Sequence, residues 1–83
     1  MPIRVKVLYF GQAREAAGSG GETVTLPARA SVGTLVREAT AAHQRMGKLS
    51  GSMKVAVNEE IAEIGQELRD GDTVAFLPPV AGG

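Results

Sequence analysis

The 83-residue chain contains no cysteine, and it has a single histidine, His43. Without cysteine there can be no disulfide, no thiolate metal site and no cysteine nucleophile. One histidine cannot form a histidine-based zinc site or supply the second histidine of a proton relay. We therefore predict that the chain holds no metal and no cofactor and is not an enzyme by itself. His43 is interpreted as a packing residue at the edge of the core.

Aromatic residues, an excess of one charge and long apolar runs are also lacking. Three aromatic residues are too few for stacking on bases, and nine basic residues balance nine acidic ones, so we expect no nucleic acid and no membrane as partner. No apolar run approaches the roughly 18–20 residues that span a bilayer. The first ten residues lack the pattern of a signal peptide. The expected location is cytoplasmic.

Alternation of apolar and polar residues predicts strands at residues 3–10, 22–27 and 73–77, and two short strands around a turn within 53–62. Ser31 is a good N-cap for a helix whose apolar stripe continues to Met46, with Gly47 as its stop. Residues 11–18 suit a short helical turn or a loop. This order predicts an α+β fold, a β-grasp (ubiquitin-like) mixed sheet packed against one main helix, with the first and last strands parallel at its centre.

The predicted sheet has a second face that the helix does not cover. Parity places Leu8 and Phe10 of the first strand and Leu77 of the last strand on this face. Small and basic residues surround them, namely Ala56, Ala75, Arg4, Lys6 and Lys54. Neighbouring apolar side chains edged with charge are typical of a partner-docking surface. We predict that Leu8, Phe10 and Leu77 contact a partner.

The sequence ends in "FLPPVAGG", so we expect a β-grasp domain at residues 1–77 and an extended, flexible tail at 78–83. Two prolines hold the start of such a tail extended. The residues that follow are small enough to thread a narrow channel; they are Val80, Ala81, Gly82 and Gly83. The α-carboxylate of Gly83 has an ordinary pKa of about 3.3–3.7 and is an anion at neutral pH. Another enzyme must activate it, and attack by sulfur or by a lysine amine would then give a thiocarboxylate or an isopeptide.

Three segments, "VLYFGQAREAAG", "VAVNEEIA" and "LRDGDTVAFLPPVAGG", carry a resemblance that runs nearly from end to end. In them the chain resembles the molybdopterin synthase small subunits, a family of ubiquitin-like sulfur carriers. The Pro-Pro before the Gly-Gly is the most specific part of the resemblance.

The resemblance implies that a ubiquitin-activating-like enzyme uses ATP to adenylate Gly83 and that a sulfurtransferase helps to convert it to a covalent thiocarboxylate. The tail would then enter the active site of the synthase large subunit and donate sulfur to cyclic pyranopterin monophosphate, forming the dithiolene of molybdopterin within a heterotetramer. Gly82, Ala81 and Val80 would line the threaded tip. The resemblance implies that Phe10 and Leu77 dock on the partner and that Arg14 contacts the tail or the interface. Leu8, Pro78 and Pro79 complete the predicted partner interface. The family often has an aromatic residue at the position of Leu77.

Other functions share the chemistry of this tail. A sulfur carrier for the thiamine thiazole, for thiolated tRNA or for cysteine would need the same C-terminal glycine. A ubiquitin-like protein modifier would attach that glycine to lysines. A β-grasp interaction domain, by contrast, would function without Gly83.

Overall fold

A computed structural model of the chain describes residues 1–49 and 53–78. Its elements in chain order are β1 (Ile3–Tyr9), α1 (Gly11–Ala17), β2 (Gly21–Leu26), α2 (Val32–Ala42), a 3-10 helix (Gln44–Lys48), β3 (Lys54–Val57), β4 (Glu60–Ala62) and β5 (Thr73–Leu77). The strands form one sheet in the order β2-β1-β5-β3-β4. The central pair, β1 and β5, is parallel, and the other three pairs are antiparallel. The predicted β-grasp fold is confirmed.

The core lies between one face of this sheet and α2. In β1 the apolar residues at odd positions are buried and the even positions are more exposed, as period-two alternation requires. From α2, Val32, Leu35 and Ala39 pack against this face. The buried residues on this face of the sheet are Ile3, Val5, Val7, Tyr9, Leu26, Val55, Val57, Val74 and Phe76, each no more than 9% exposed.

The N-terminus of α2 is firmly held. The Ser31 hydroxyl accepts a hydrogen bond from the Thr34 N–H, and the Thr34 side chain accepts one from the Ser31 N–H, which completes a capping box. The next two N–H groups, of Val32 and Gly33, donate to backbone carbonyls of residues 66 and 64. The loop between β4 and β5 therefore satisfies the free donors at the start of the helix.

The prediction that the main helix continues to Met46 and stops at Gly47 is wrong. The helix ends at Ala42, and His43 adopts an extended conformation with φ −129° and ψ 91°. A 3-10 helix then places Met46 in the core, 1% exposed. Because His43 and Met46 are three residues apart, this spacing suits both helix types, and the apolar pattern did not reveal the break.

Two turns fix the ends of β3, β4 and β5. Asn58 and Glu59 connect β3 to β4 with positive φ angles of 50° and 73°, as a two-residue hairpin turn requires. The Asn58 side chain accepts a hydrogen bond from the Thr73 N–H and donates one to Asp72, so it joins the hairpin to β5. The predicted turn at residues 70–72 is present, with Gly71 at φ 89°. In the part of the chain that the structure describes, no helix is long and apolar enough to cross a membrane.

Candidate functional site

One face of the sheet is left open by the helices, and it carries a row of apolar or small residues. Cross-strand register places Leu8 of β1 beside Ala75 of β5, and Ala75 beside Ala56 of β3. Ala56 in turn pairs with Ile61 of β4, and on the other side Leu8 pairs with Gly21 of β2. Residues in register share one face of a sheet. We call Gly21, Leu8, Ala75, Ala56 and Ile61 the apolar row; it crosses all five strands.

Two predicted docking residues lie next to this row. Phe10 is the first residue after β1 and is 46% exposed. Leu77 is the last residue of β5 and lies directly across from Lys54 of β3. We call the apolar row together with Phe10 and Leu77 the open apolar face. Leu8 and Leu77 are half-buried, and both lie where the predictions placed them.

Ile61 was missed by the sequence interpretation. It is 64% exposed, and among the large apolar residues that the structure describes only Met1 and Ile64 are more exposed. It belongs to a strand of only three residues, in which alternation cannot be recognised. The signal that identifies it is the pairing with Ala56, which the sequence does not show.

Three basic residues lie on the same side of the sheet as the open apolar face. Arg4 and Lys6 are the exposed even positions of β1, and Lys54 begins β3 opposite Leu77. Parity puts these three side chains on the same face as Leu8. A surface that is apolar at its centre and cationic around it is suited to a partner with an apolar patch flanked by carboxylates.

Most of the predicted tail site lies outside the described residues. Pro78 is described and is half-buried directly after β5. The remaining predicted residues, Pro79, Val80, Ala81, Gly82 and Gly83, lie outside. Because β5 ends at Leu77, the tail follows directly from a residue of the open apolar face.

Arg14 lies on α1 and is exposed. Its guanidinium lies over Gly20, where an added β-carbon would be 3.6 Å from Cζ and from Nε. This places the guanidinium beside the connection from α1 to β2, near the Gly21 end of the apolar row. The interface role of Arg14 stays a prediction.

A cluster of three polar side chains, unexpected from the sequence, lies under the end of β1. The Tyr9 hydroxyl donates a 2.6 Å hydrogen bond to Oε2 of Glu22 in β2, and Nε2 of His43 lies 2.7 Å from the same oxygen. The Tyr9 ring stacks on Phe76 at 5.5 Å and meets the His43 ring edge-on at 5.7 Å. The three residues are far apart in the sequence, so no local motif predicts the cluster. Its geometry agrees with a packing role for His43.

Burial and hydrogen bonding within this cluster shift the pKa values of Glu22 and Tyr9. The hydrogen bond from Tyr9, followed by that with His43, lowers the pKa of Glu22 below its ordinary value. Burial first, and then the bond to the Glu22 carboxylate, raises the pKa of Tyr9 far above its ordinary value. Glu22 is thus held ionised as an acceptor and Tyr9 is held protonated as a donor. Within residues 1–49 and 53–78, no group of three or more His, Cys, Asp or Glu side chains is placed to hold a metal ion.

Comparison with known proteins gives matches along nearly the whole chain. A model of the ThiS family matches residues 7–83, so the matched segment includes the tail. The molybdopterin synthase sulfur carrier subunit of Mycobacterium tuberculosis is 42% identical over 82 residues, which cover 98% of this chain and 99% of that protein.

Solved structures share the fold. A Pyrococcus furiosus protein with the provisional name molybdopterin converting factor, subunit 1, matches with a TM-score of 0.86 and 32% identity over 94% of this chain and 99% of its own. The small archaeal modifier protein 1 of Haloferax volcanii matches with a TM-score of 0.83 and 26% identity, covering 94% and 99%. A chain from the complex of subunits 1 and 2 of the molybdopterin-converting factor from Helicobacter pylori has the same fold, with a TM-score of 0.70 and 23% identity over 98% and 100%.

Proposed function

The chain belongs to the ThiS family, and we propose that within it this protein is the sulfur-carrier subunit of a molybdopterin synthase. The observation that carries the proposal is the match, over 98% of this chain and 99% of the other, with a protein of that name. The open apolar face and the tail that follows from it supply the two parts that such a subunit needs, a docking surface and a reactive end.

The proposed chemistry takes place at the α-carboxylate of Gly83. One carboxylate oxygen attacks the α-phosphorus of ATP on an adenylating enzyme, the bond to pyrophosphate breaks, and pyrophosphate leaves. Sulfide, or the persulfide of a sulfurtransferase together with a thiol reductant, then attacks the carbonyl carbon. A carbon–sulfur bond forms and AMP leaves. Sulfide gives the thiocarboxylate directly, whereas a persulfide gives an acyl disulfide; the thiol then cleaves its sulfur–sulfur bond, which frees the thiocarboxylate and leaves a disulfide between that thiol and the sulfurtransferase. The chain contributes an activatable carboxylate to these steps, and its partners contribute the catalytic groups.

In the second half of the cycle, the tail delivers sulfur inside a large subunit. The open apolar face would bind this partner, with Arg4, Lys6 and Lys54 opposite acidic groups. The residues of the tail that would enter the partner's active site are Val80, Ala81, Gly82 and Gly83. The sulfur bonds to a carbon of the precursor, cyclic pyranopterin monophosphate, in place of an oxygen substituent that leaves. Water then cleaves the bond between the sulfur and the carbonyl carbon of Gly83. The free carboxylate is thereby restored.

The experiment is the intact mass of the full chain after incubation with ATP, a sulfide source and the cognate adenylating enzyme. We expect the mass gain that replacement of one oxygen by sulfur produces, and no gain in a variant that lacks Gly83. The circular dichroism of that variant should equal that of the wild-type chain, because residue 83 comes six residues after the end of β5, the last strand that the structure describes. Addition of the large subunit and the pyranopterin precursor then tests the pathway.

No mass change with an adenylating enzyme that is active on another carrier would refute the sulfur-carrier proposal. The likeness to a small archaeal modifier protein favours one second function, attachment of Gly83 to lysines of other proteins. That function predicts a ladder of high-mass species on immunoblots of cell lysate, lost when Gly83 is deleted.

A further inference from the structure

Because β1 and β5 are parallel neighbours, the chain leaves both strands at the same end of the sheet. Their pairing extends one step past β1, where the Phe10 N–H donates a 3.3 Å hydrogen bond to the carbonyl oxygen of Phe76. From there β1 turns into α1 at Gly11, and β5 continues past Leu77 into Pro78. Gly11 and Pro78 are therefore the two residues at which the paired strands separate.

Gly11 and Pro78 are in close contact. A β-carbon added to Gly11 would lie 2.8 Å from Cγ of Pro78, 3.7 Å from Cδ and 3.9 Å from Cβ. The proline ring thus occupies the space that a side chain on Gly11 would need. Gly11 also has a positive φ of 52°, which glycine adopts at little cost.

Neither partner of this contact can easily move away. The N–H groups of Ala13 and Arg14 both donate to the carbonyl oxygen of Phe10, and Ala13 is fully buried, so the first turn of α1 is fixed against the sheet. On the other side, β5 is hydrogen-bonded between β1 and β3. Pro78 adds its own restriction, since its ring fixes φ and it has no N–H to extend the sheet.

We propose that Gly11 is a positioning residue for the tail: by leaving room for the Pro78 ring, it sets the direction in which the chain leaves the open apolar face toward a partner's active site. The proposal rests on the proposed function, because the tail needs a set direction only if its last residue reacts in a partner. A six-residue segment from residue 78 reaches roughly 20 Å when fully extended, so a small change of angle at its start displaces its end by several ångströms.

The test compares two glycine-to-alanine variants in the full chain. G11A adds a methyl group against Pro78. G18A is the matched control: Gly18 also has a positive φ, 74°, at the other end of α1, but an added β-carbon there meets nothing within 4 Å. Backbone strain is thus common to both variants, and the contact with Pro78 belongs to G11A alone.

The readouts are the KM for the chain and the kcat of pyrophosphate release by the cognate adenylating enzyme, and the Kd for that enzyme. In G11A we expect kcat to fall roughly tenfold, since a misplacement of about 1 Å can cost about 100-fold. The Kd should stay within about twofold of the wild-type value, because G11A removes no side chain and changes no charge at the surface. G18A should match the wild-type chain in kcat and Kd.

A double-mutant cycle with P78A removes the ring from the same contact. P78A should lower kcat by itself, and G11A should add no further loss in its background. Pro78 lies beyond β5, so P78A leaves the sheet intact and tests the contact even if G11A does not fold.

Three results would overturn the inference: a wild-type kcat in P78A, equal losses in G11A and G18A, or a loss in G11A that appears only in Kd. Failure of the proposed function is a separate result. It would show as no pyrophosphate release with the wild-type chain by an enzyme that is active on another carrier.

Discussion

Ile61 offers the clearest test of the open apolar face, because it is prominent there and contributes little to the core. It lies on the edge strand β4 opposite Ala56 and is 64% exposed. Replacing it by alanine removes apolar surface without adding charge or a new shape. We therefore predict that I61A weakens binding to a large subunit and leaves the fold unchanged.

The size of the effect follows from the exposed fraction. Complete burial of an isoleucine side chain is worth about 1.5–3 kcal/mol. The 64% that is exposed in the free chain leaves about 1–2 kcal/mol to be gained in a complex that covers it. I61A should therefore raise the Kd about 5–25-fold. Its free energy of unfolding should change by less than about 0.5 kcal/mol, as for other surface positions.

The assay is isothermal titration of the full chain with the large subunit, with Ile64 as the control position. Ile64 is 74% exposed, but it lies in the loop against α2, beside Gly33. I64A therefore removes a similar exposed side chain from a different surface, and its Kd should equal that of the wild-type chain. Equal Kd values for I61A and wild type, or equal losses in I61A and I64A, would refute the assignment of the docking surface.

Three further predictions concern stability and are measured by urea unfolding. Hydrogen bonds with Tyr9 and His43 lower the folded-state pKa of Glu22, so the ionised side chain stabilises the fold above its ordinary pKa of 4.5, and this stabilisation is lost as pH falls through the lowered pKa. E22Q should therefore be less stable than wild type at pH 7, by a margin that shrinks in acid. Y9F removes a donor to this carboxylate and should cost about 1.5–3 kcal/mol at pH 7, and no loss would refute the bond. E59G relieves a φ of 73° in the β3–β4 turn and should stabilise by about 0.5–1 kcal/mol, and destabilisation would contradict that turn geometry.

Period-two alternation made the faces of β1 and β5 predictable. Each residue of a strand is assigned to a face by parity alone, so Leu8 and Leu77 could be placed opposite the core before the sheet was known. The parallel pairing of β1 and β5 followed from the order of the elements. What parity cannot supply is register, and register is what brings Ile61 of a three-residue strand into line with Leu8.

The end of α2 and the polar cluster under β1 were not predictable for a related reason. His43 leaves the helical conformation at the point where its ring meets Tyr9 and its Nε2 meets Glu22. Tyr9 belongs to β1 and Glu22 to β2, and such tertiary contacts override local helix propensity. The local sequence contains only the apolar spacing, which a helix and a 3-10 turn satisfy equally well.

The two faces of the sheet separate stability from binding. The core face is closed by α2, so the residues of the open apolar face can be chosen for a partner at little cost in folding free energy. The contact of Gly11 with Pro78 lies at the rim of that face and affects neither its area nor its charge. Affinity and tail direction should therefore respond to different substitutions. I61A should lose affinity for the large subunit, and G11A should lose kcat with the adenylating enzyme at a normal Kd for that enzyme. These two results together would show that one small sheet serves both purposes through separate residues.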